Sequence, residues 1–472
     1  MKIKELVKDI RFWIAFFFLV RLVGITNPPL EVGHNWRQTT VTMPARNFLE
    51  IDNNILYPRL DIAGEKTGIT GMEFPALNYI IYLVSAVFGY EHWYGRLINL
   101  LFSSLGLLFF YKLIKKHFSA SHALYATLIL IVSIWFQFSR KIMPDTFAMS
   151  MVIASMYYAS NYFDNIARNK NILPLFAYLL LMTLGVLCKL STGYALVILG
   201  IFMLDKTIPL KKKVIFCMVS VIGIIPVLVW YFYWVPQLVE TYGFWHFFMG
   251  KSFALGSAEI WANLSDVLSR FYDTSIKYVG FLVFILGLIF AIIKKEKVIL
   301  LVLILGFLTF SIIVLKAGIN FSLHNYYVIP FVPIMAFVAG YGLTKIKNTG
   351  IVILLLSAIA VEGISNQHQD FSIHKKDAYL ITLESDLDTI FGRDELIVIN
   401  SDYFPTPMYF AHRKGWICNN AQIENKKYIQ KLKTKGLKYL VVLKRNYELG
   451  NKFDTYKMVL ETSDYIVYQV AF

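Results

Sequence analysis

A long polar segment between two apolar runs, residues 27–94, holds the first residues able to do chemistry. Its candidate side chains are Glu31, His34, Arg37, Gln38 and Arg46. A carboxylate or an imidazole can take a proton from an attacking hydroxyl, and guanidinium groups bind phosphate oxygens. Long connections of this kind are often functional. The segment therefore predicts a general base and anion-binding groups.

Three further segments place polar groups where an apolar run begins or ends. Their candidates are Arg140, Asp145, Lys189, His324, Tyr326 and Tyr327. Asp145, after Pro144, could simply complement a helix dipole, and Lys189 could extend to the membrane interface, where tyrosines are also common. All these segments fall on one predicted membrane face. We therefore predict that His34, Arg37, Asp145 and Lys189 approach one another around one cavity.

The elements that must position these residues are membrane helices. The chain has 472 residues, of which 57% are hydrophobic and 16% charged, against about 25% charged in soluble domains. Apolar runs near the length that crosses a bilayer, about 20 residues, recur along the chain. Each is predicted to be a helix, because backbone groups in lipid must form hydrogen bonds within their own segment. About eleven transmembrane helices are predicted, at 12–27, 95–114, 121–139, 146–163, 172–188, 193–205, 214–234, 277–293, 298–315, 325–344 and 349–364.

Basic residues in the short loops predict the orientation, because such loops are usually cytoplasmic. They include Lys112, Lys115, Lys116, Arg168, Lys170, Lys206, Lys294, Lys295, Lys345 and Lys347. These loops share the cytoplasmic side with the N-terminus only if the short run Phe74–Gly89 does not cross the membrane. We therefore interpret this run as a juxtamembrane or re-entrant segment. The net charge of +15 reflects these loops, and no nucleic-acid partner is expected.

The C-terminal part, residues 366–472, reads as a small extracytoplasmic α/β domain beside a transmembrane domain at 1–365. Short β-like runs occur at 395–400, 439–443 and 465–470, and a helix is predicted at 424–435 before Gly436. We find no convincing catalytic set there. We therefore expect the domain to be dispensable for the chemistry. We expect it to affect stability or the choice of the molecule that accepts the transferred group.

If the chemistry is a group transfer, the molecule that donates the group is predicted to be carried on a lipid. The sequence lacks a nucleotide-binding glycine loop, and chemistry on the outer face needs a donor already carried across the membrane. A lipid phosphate would account for Arg37, Arg140 and Lys189, since such side chains bind phosphate oxygens. The three cysteines are far apart, so no metal site is expected.

Together these motifs resemble those of a known enzyme group. The motifs are Ala45-Arg46-Asn47-Phe48, Glu73-Phe74-Pro75-Ala76-Leu77, the Arg140-to-Asp145 turn, the Lys189 segment and His324-Asn325-Tyr326-Tyr327. They resemble the GT-C glycosyltransferases, in particular the protein O-mannosyltransferases and the lipid A aminoarabinose transferases. The resemblance implies an all-α polytopic membrane fold with juxtamembrane helices. It also implies inverting transfer of a sugar from a polyprenyl-phosphate carrier to an extracytoplasmic glycolipid, polysaccharide or protein, without a metal or cofactor.

The catalytic base is left among three residues. The resemblance implies an acid in the first outer loop, where this chain has Glu31 and His34 in place of the usual acidic pair. Asp145 is the third candidate, and the family habit favours Glu31. The alternative function is a transporter or flippase of lipid-linked sugars, which would favour inverted repeats and a site at mid-membrane depth.

Overall fold

The computed structural model describes residues 3–164, 172–246, 250–447, 453 and 455–470, so Arg168 and Lys170 lie outside the described residues. The structure is 69% helical with one small sheet near the C-terminus. It divides into two compact units. The helical unit comprises Met1–Ile25, Arg96–Phe232 and Phe248–Phe371, and the mixed unit comprises Thr26–Gly95, Tyr233–Phe247 and Ser372–Phe472.

Most predicted membrane runs form helices of the helical unit. Its α-helices are Ile3–Leu6, Ile10–Arg21, Tyr94–His117, Ala120–Val132, Ile134–Phe138, Pro144–Asp164, Leu173–Cys188, Gly200–Leu204, Leu210–Val229, Phe253–Ala262, Leu264–Ser269, Lys277–Ile293, Lys297–Ala317, Ile319–Leu323, Val332–Thr344 and Thr349–Ser365. Tighter or wider turns occupy Leu190–Leu199, Trp230–Trp234, Arg270–Ser275, Asn325–Phe331 and His368–Phe371. The chain is thus a multi-pass membrane protein by composition and helix pattern.

Only some of these helices are long and apolar enough to cross a membrane unaided. Among the described residues these are four, Tyr94–His117, Leu210–Tyr242, Lys297–Ala317 and Asn325–Thr344. A fifth span results if Leu264–Ser275 and Lys277–Ile293, bent by 95°, count as one. The remaining predicted runs are broken, shorter or less apolar. Ser133, for example, ends one helix and caps the next. The number eleven stays a prediction.

The mixed unit joins the first polar loop to the C-terminal sheet. Its helices are Asn35–Glu50, Ala76–Phe88, Val235–Tyr242, Leu383–Asp388, Thr406–Ala411, Asn420–Glu424 and Lys426–Lys433, with 3-10 turns at Lys375–Thr382 and Lys444–Asn446. Its strands are β1 (Leu396–Ile399), β2 (Gly415–Ile417), β3 (Leu437–Leu443), β4 (Lys457–Glu461) and β5 (Tyr465–Gln469). The order is β2-β1-β3-β5-β4, with β1 parallel to β2 and β3, and β5 antiparallel to its neighbours.

The predicted strands of the C-terminal part are present as β1, β3 and β5, whereas β2 and β4 escaped prediction. The predicted helix is divided at Asn425, whose side chain caps Lys426–Lys433. Gly436 follows with a φ of +98°, a conformation that glycine adopts without strain.

One hydrophobic core serves both the loop and the sheet. Leu30, Met43 and Leu60 of the loop are buried in the same cluster as Met408 and Val441. Removing the C-terminal part would uncover these loop residues, because C-terminal side chains form part of their core. This packing fits an effect of the C-terminal part on stability, and its dispensability for the chemistry stays a prediction.

Candidate active site

Asn99 holds the turn that precedes Asp145 in the helical unit. Its side-chain amide donates to the carbonyls of Phe138 at 2.9 Å, Lys141 at 2.7 Å and Met143 at 3.2 Å. The turn therefore cannot rearrange without breaking buried hydrogen bonds. Pro144 then starts the helix Pro144–Asp164 and places Asp145 in its first turn, where the helix dipole favours an acid.

Asp145 forms a buried ion pair with Lys189, which follows the end of the helix Leu173–Cys188. The Nζ to Oδ1 distance is 3.2 Å, and the two side chains are 1% and 13% exposed for Asp145 and Lys189. Among the described residues, neither carboxylate oxygen of Asp145 accepts a hydrogen bond. Buried carboxylates normally do. The acid thus keeps acceptor positions that no described residue fills.

Aromatic rings surround the ammonium group of Lys189. Its Nζ lies 5.5 Å from the ring centre of Tyr326 and 6.0 Å from that of Tyr327. The ring of His324 stacks on Tyr326 with centres 5.4 Å apart. Contacts of a cation with ring faces are favourable and shield it from water. The structure therefore brings together five predicted residues from three separate segments of the chain.

Arg140 has a different environment from Lys189, although both were predicted to bind phosphate. Its guanidinium donates to the backbone carbonyls of Arg21 at 3.1 Å, Val23 at 2.8 Å and Asp370 at 3.0 Å. It also lies over the ring of Phe371, 4.2 Å from the centre. These contacts satisfy carbonyls at the end of the helix Ile10–Arg21 and favour a structural role.

The remaining predicted residues lie in the mixed unit, around the start of the helix Asn35–Glu50. Glu31 is buried and accepts a hydrogen bond from Gln38 Nε2 at 3.2 Å. Its backbone pairs with Ile373 as an isolated antiparallel bridge. Half-buried His34 precedes the helix with a φ of 60°, a left-handed conformation that costs energy for a residue with a side chain.

Arg37 makes a tight buried ion pair with Glu73. The Nη2 to Oε1 distance is 2.5 Å, and the side chains are 11% and 10% exposed. His246 lies close to both, and burial together with the charge of Arg37 lowers the pKa of His246 to about 4, although Glu73 opposes the shift. This imidazole is therefore neutral near pH 7. Glu73 and His246 were absent from the predicted site, because their proximity to Arg37 depends on the folded chain.

Arg46 is engaged by the mixed unit itself. It pairs with Asp61 at 2.9 Å, donates to the carbonyl of Tyr409 at 3.0 Å and lies over the Tyr409 ring. Asn47 donates to the same carboxylate at 2.8 Å. These contacts join the loop to the C-terminal part and favour a structural role over substrate binding.

Most predicted site residues thus form two clusters, one in each unit, and the second cluster also contains the unpredicted residues Glu73 and His246. The helical-unit cluster is Asp145, Lys189, His324, Tyr326 and Tyr327, and the mixed-unit cluster is Glu31, His34, Arg37, Gln38, Glu73 and His246. The convergence of the two clusters stays a prediction. In the part of the chain that the structure describes, no three His, Cys, Asp or Glu side chains group as metal ligands.

A family model matches the middle of the sequence. The model described as dolichyl-phosphate-mannose-protein mannosyltransferase matches residues 73–232, a range that includes Asp145 and Lys189 but excludes Glu31 and His34. Among curated proteins, none matches the sequence.

Solved structures match over nearly the whole chain. ArnT from Cupriavidus metallidurans, solved in the apo state and bound to undecaprenyl phosphate, aligns with a TM-score of 0.58 at 12% identity over 97% of each chain. The oligosaccharyltransferase of Archaeoglobus fulgidus aligns with a TM-score of 0.54 at 12% identity, covering 92% of this chain and 70% of its own. The fold and the family match confirm that the chain resembles the GT-C glycosyltransferase superfamily of the ArnT and protein mannosyltransferase type.

Proposed function

We propose that the protein is an inverting membrane glycosyltransferase that moves a sugar from a polyprenyl-phosphate donor to an extracytoplasmic acceptor. The observation that carries this proposal is the buried Asp145–Lys189 pair, in which a cation and an acid with unused acceptor positions lie together. The undecaprenyl phosphate bound to the similar ArnT supports a lipid-phosphate donor here. The matched family and structures reported above are transferases and lend no support to the transporter alternative.

Lys189 is proposed to bind the donor phosphate. An ammonium group has three donors, so Lys189 can hold Asp145 and a phosphate oxygen together. In transfer, the bond between the sugar and the phosphate oxygen breaks and the phosphate leaves with an additional negative charge. A fixed cation in a site shielded from water stabilises that charge. Tyr326 and Tyr327 keep the ammonium group in place through their ring faces.

Asp145 is proposed as the base that takes the proton of the acceptor hydroxyl as its oxygen attacks the anomeric carbon. The family habit favoured Glu31. In the structure one carboxylate oxygen of Glu31, Oε2, accepts a hydrogen bond from Gln38, whereas neither oxygen of Asp145 accepts one among the described residues. Glu31 and His34 remain the alternative bases. Arg37 remains an alternative contact for the donor phosphate.

The test is transfer by purified protein in lipid nanodiscs, with a panel of polyprenyl-phosphate sugars and with envelope glycolipids, polysaccharides and proteins as acceptors. Mass spectrometry of the products identifies the sugar and the acceptor. Lys189→Met and Asp145→Asn are expected to abolish transfer. The matched control is Lys251→Met, which removes the cation of another partly buried pair of the helical unit, Lys251–Glu259 at 2.5 Å.

Two results would contradict this function. One is full transfer activity of both Lys189→Met and Asp145→Asn. The other is movement of an intact lipid-linked sugar across a vesicle membrane without transfer, which would favour the transporter.

The proposed orientation places the N-terminus in the cytoplasm and the C-terminal part outside, with eleven spans between them. The basic loops of the sequence support it, since lysine and arginine concentrate in cytoplasmic loops. Reporter fusions after Lys116 and after Val470 are expected to report opposite sides. Reports from the same side would overturn both the span count and the outer location of the site.

A further inference from the structure

Residues 367–371, which follow the last predicted span, lie against the segment that leads to Asp145. We call these residues the strap. Gln367 donates from its side-chain amide to the carbonyls of Ser133 at 3.2 Å and Gly363 at 2.7 Å. Ser133 marks the break between the helices Ala120–Val132 and Ile134–Phe138. The strap thus holds the helical unit at a point where its helix hydrogen bonding is interrupted.

Asp370 is the centre of the contacts that the strap makes. Its buried carboxylate accepts from Lys141 Nζ at 2.9 Å and from the side-chain amide of Gln137. Its backbone carbonyl accepts from Arg140 at 3.0 Å. Three side chains of one short segment therefore converge on a single residue of the strap.

The partner of Asp370 belongs to the turn that carries Asp145. The side chain of Lys141 is completely buried, and its backbone carbonyl accepts the 2.7 Å hydrogen bond from Asn99. Phe371 adds a ring contact with Phe136, whose centre lies 5.5 Å away. The turn is therefore held from two sides, by Asn99 and by the strap.

We propose that Asp370 is a positioning residue for the transfer reaction, fixing Lys141 and with it the placement of Asp145 beside Lys189. Asp370 does not contact the reacting groups. The proposal rests on the proposed function. Removing one partner of a buried ion pair destabilises the fold, and a small displacement of a catalytic group reduces the rate strongly. Losing Asp370 is therefore expected to lower the melting temperature and also the rate of transfer by the protein that remains folded.

The first measurement is steady-state transfer by Asp370→Asn in nanodiscs. We expect kcat to fall about 10- to 100-fold, as for a displacement of roughly 1 Å. The KM for the donor should change less than about twofold, because Lys189 is retained. Asp370→Glu should recover part of kcat. Adding Lys141→Met to Asp370→Asn should cause no further loss, because the two residues act as one unit.

The second measurement is independent of activity and uses hydrogen exchange followed by mass spectrometry. Asp370→Asn is expected to increase amide exchange in peptides covering residues 138–146. Peptides covering 297–317 serve as the internal control. The control variant Glu259→Gln, which breaks the Lys251 pair, should leave exchange at 138–146 unchanged.

The outcomes distinguish a failure of the positioning role of Asp370 from a failure of the proposed transferase function. Unchanged exchange at 138–146 overturns the positioning role, whether or not the protein transfers sugar. A normal kcat of the folded Asp370→Asn protein with a lowered melting temperature shows a purely structural role and also overturns it. A raised KM at normal kcat assigns Asp370 to substrate binding instead. Increased exchange at 138–146 in Asp370→Asn, together with a wild-type protein that transfers no sugar, would count against the proposed function alone.

Discussion

Two buried ion pairs, one in each unit, illustrate how the same residue types can serve different purposes. Arg37 and Glu73 approach to 2.5 Å, and their side chains are about equally buried. Asp145 and Lys189 are 3.2 Å apart, and among the described residues the carboxylate of Asp145 accepts no hydrogen bond. The first pair resembles a structural contact between two parts of a loop. In the second pair the carboxylate keeps acceptor positions that no described residue fills, and we propose that a ligand uses them. The geometry of a pair, more than its presence, therefore guides the choice of a candidate site.

The largest expected effect comes from deleting the C-terminal sheet of the mixed unit, the unit that also contains the Arg37–Glu73 pair. Deleting residues from Ser372 onward removes Met408 and Val441 from the core that also buries Leu30 and Met43. Exposing this apolar surface should unfold the mixed unit. Limited proteolysis is expected to cleave residues 27–94 rapidly in the truncated protein. Protection of this region equal to that of the full chain would show that the loop folds without the sheet.

The truncation should begin after Phe371 for a specific reason. Removing Asp370 as well would also break its ion pair with the buried Lys141. A truncation from Asp370 would therefore combine two separate losses.

The next effect concerns the helical-unit pair. Asp145→Asn removes the proposed base with little change in size, so single-turnover transfer on donor-loaded protein should fall about 10²-fold or more. Donor binding should be retained, because Lys189 is still present. Glu31→Gln and His34→Gln should lose less activity. Near-normal turnover of Asp145→Asn together with an inactive Glu31→Gln would return the role of base to the mixed unit.

A smaller effect is expected from breaking the Arg37–Glu73 ion pair of the mixed unit. Glu73→Gln removes the charge that Glu73 places against the nearly buried guanidinium of Arg37, which costs about 1–3 kcal/mol. The melting temperature should fall while the kcat of the folded protein stays within a few-fold of normal. The matched control is Glu461→Gln, which breaks an exposed pair with Lys444 at 2.8 Å. A loss of kcat without a loss of stability would show that Arg37 and Glu73 act in the reaction.

The smallest expected effect is a pH dependence within the mixed unit. His412 contacts Glu384 at 2.6 Å and Glu50 at 2.8 Å. Burial alone would lower the pKa of His412, but hydrogen bonds to these two carboxylates outweigh burial and raise it. Arg46 opposes the rise because its charge is also positive.

The direction of the stability change follows from the raised pKa of His412. Its contribution is fully present below the unfolded value near 6.5 and disappears as pH rises through the higher folded value. The melting temperature measured from pH 6 to 9 should therefore decline in the wild type more than in His412→Gln. Equal declines in both proteins would contradict a stabilising contact of His412 with Glu384 and Glu50.

Several features of the fold were predictable because they depend on local composition. Runs such as 298–315 are uniformly apolar, and the helix Lys297–Ala317 follows from that alone. The strands at 395–400 and 439–443 are short apolar segments bounded by polar residues, and they appear as β1 and β3. Strand β2, with three residues, is too short to produce a periodic signal.

Individual site residues were identified by type, but their roles required their neighbours. Arg140 and Lys189 are both cations at the ends of apolar runs, and nothing local distinguishes them. Arg140 proves to donate to three backbone carbonyls, whereas Lys189 lies beside Asp145 and two aromatic rings. Asp370 stands 229 residues from Lys141, so no spacing rule could have paired them.

By itself the sequence determined the membrane class of this protein, the positions of most helices and the chemical types available for a transfer reaction. These follow from hydropathy and residue chemistry, which are properties of short segments. Only the tertiary structure decided that the first loop shares a core with the C-terminal sheet and that Asp145 lies against Lys189. Burial and pairing depend on groups that the folded chain brings together from distant positions, and a short segment carries no record of its partner.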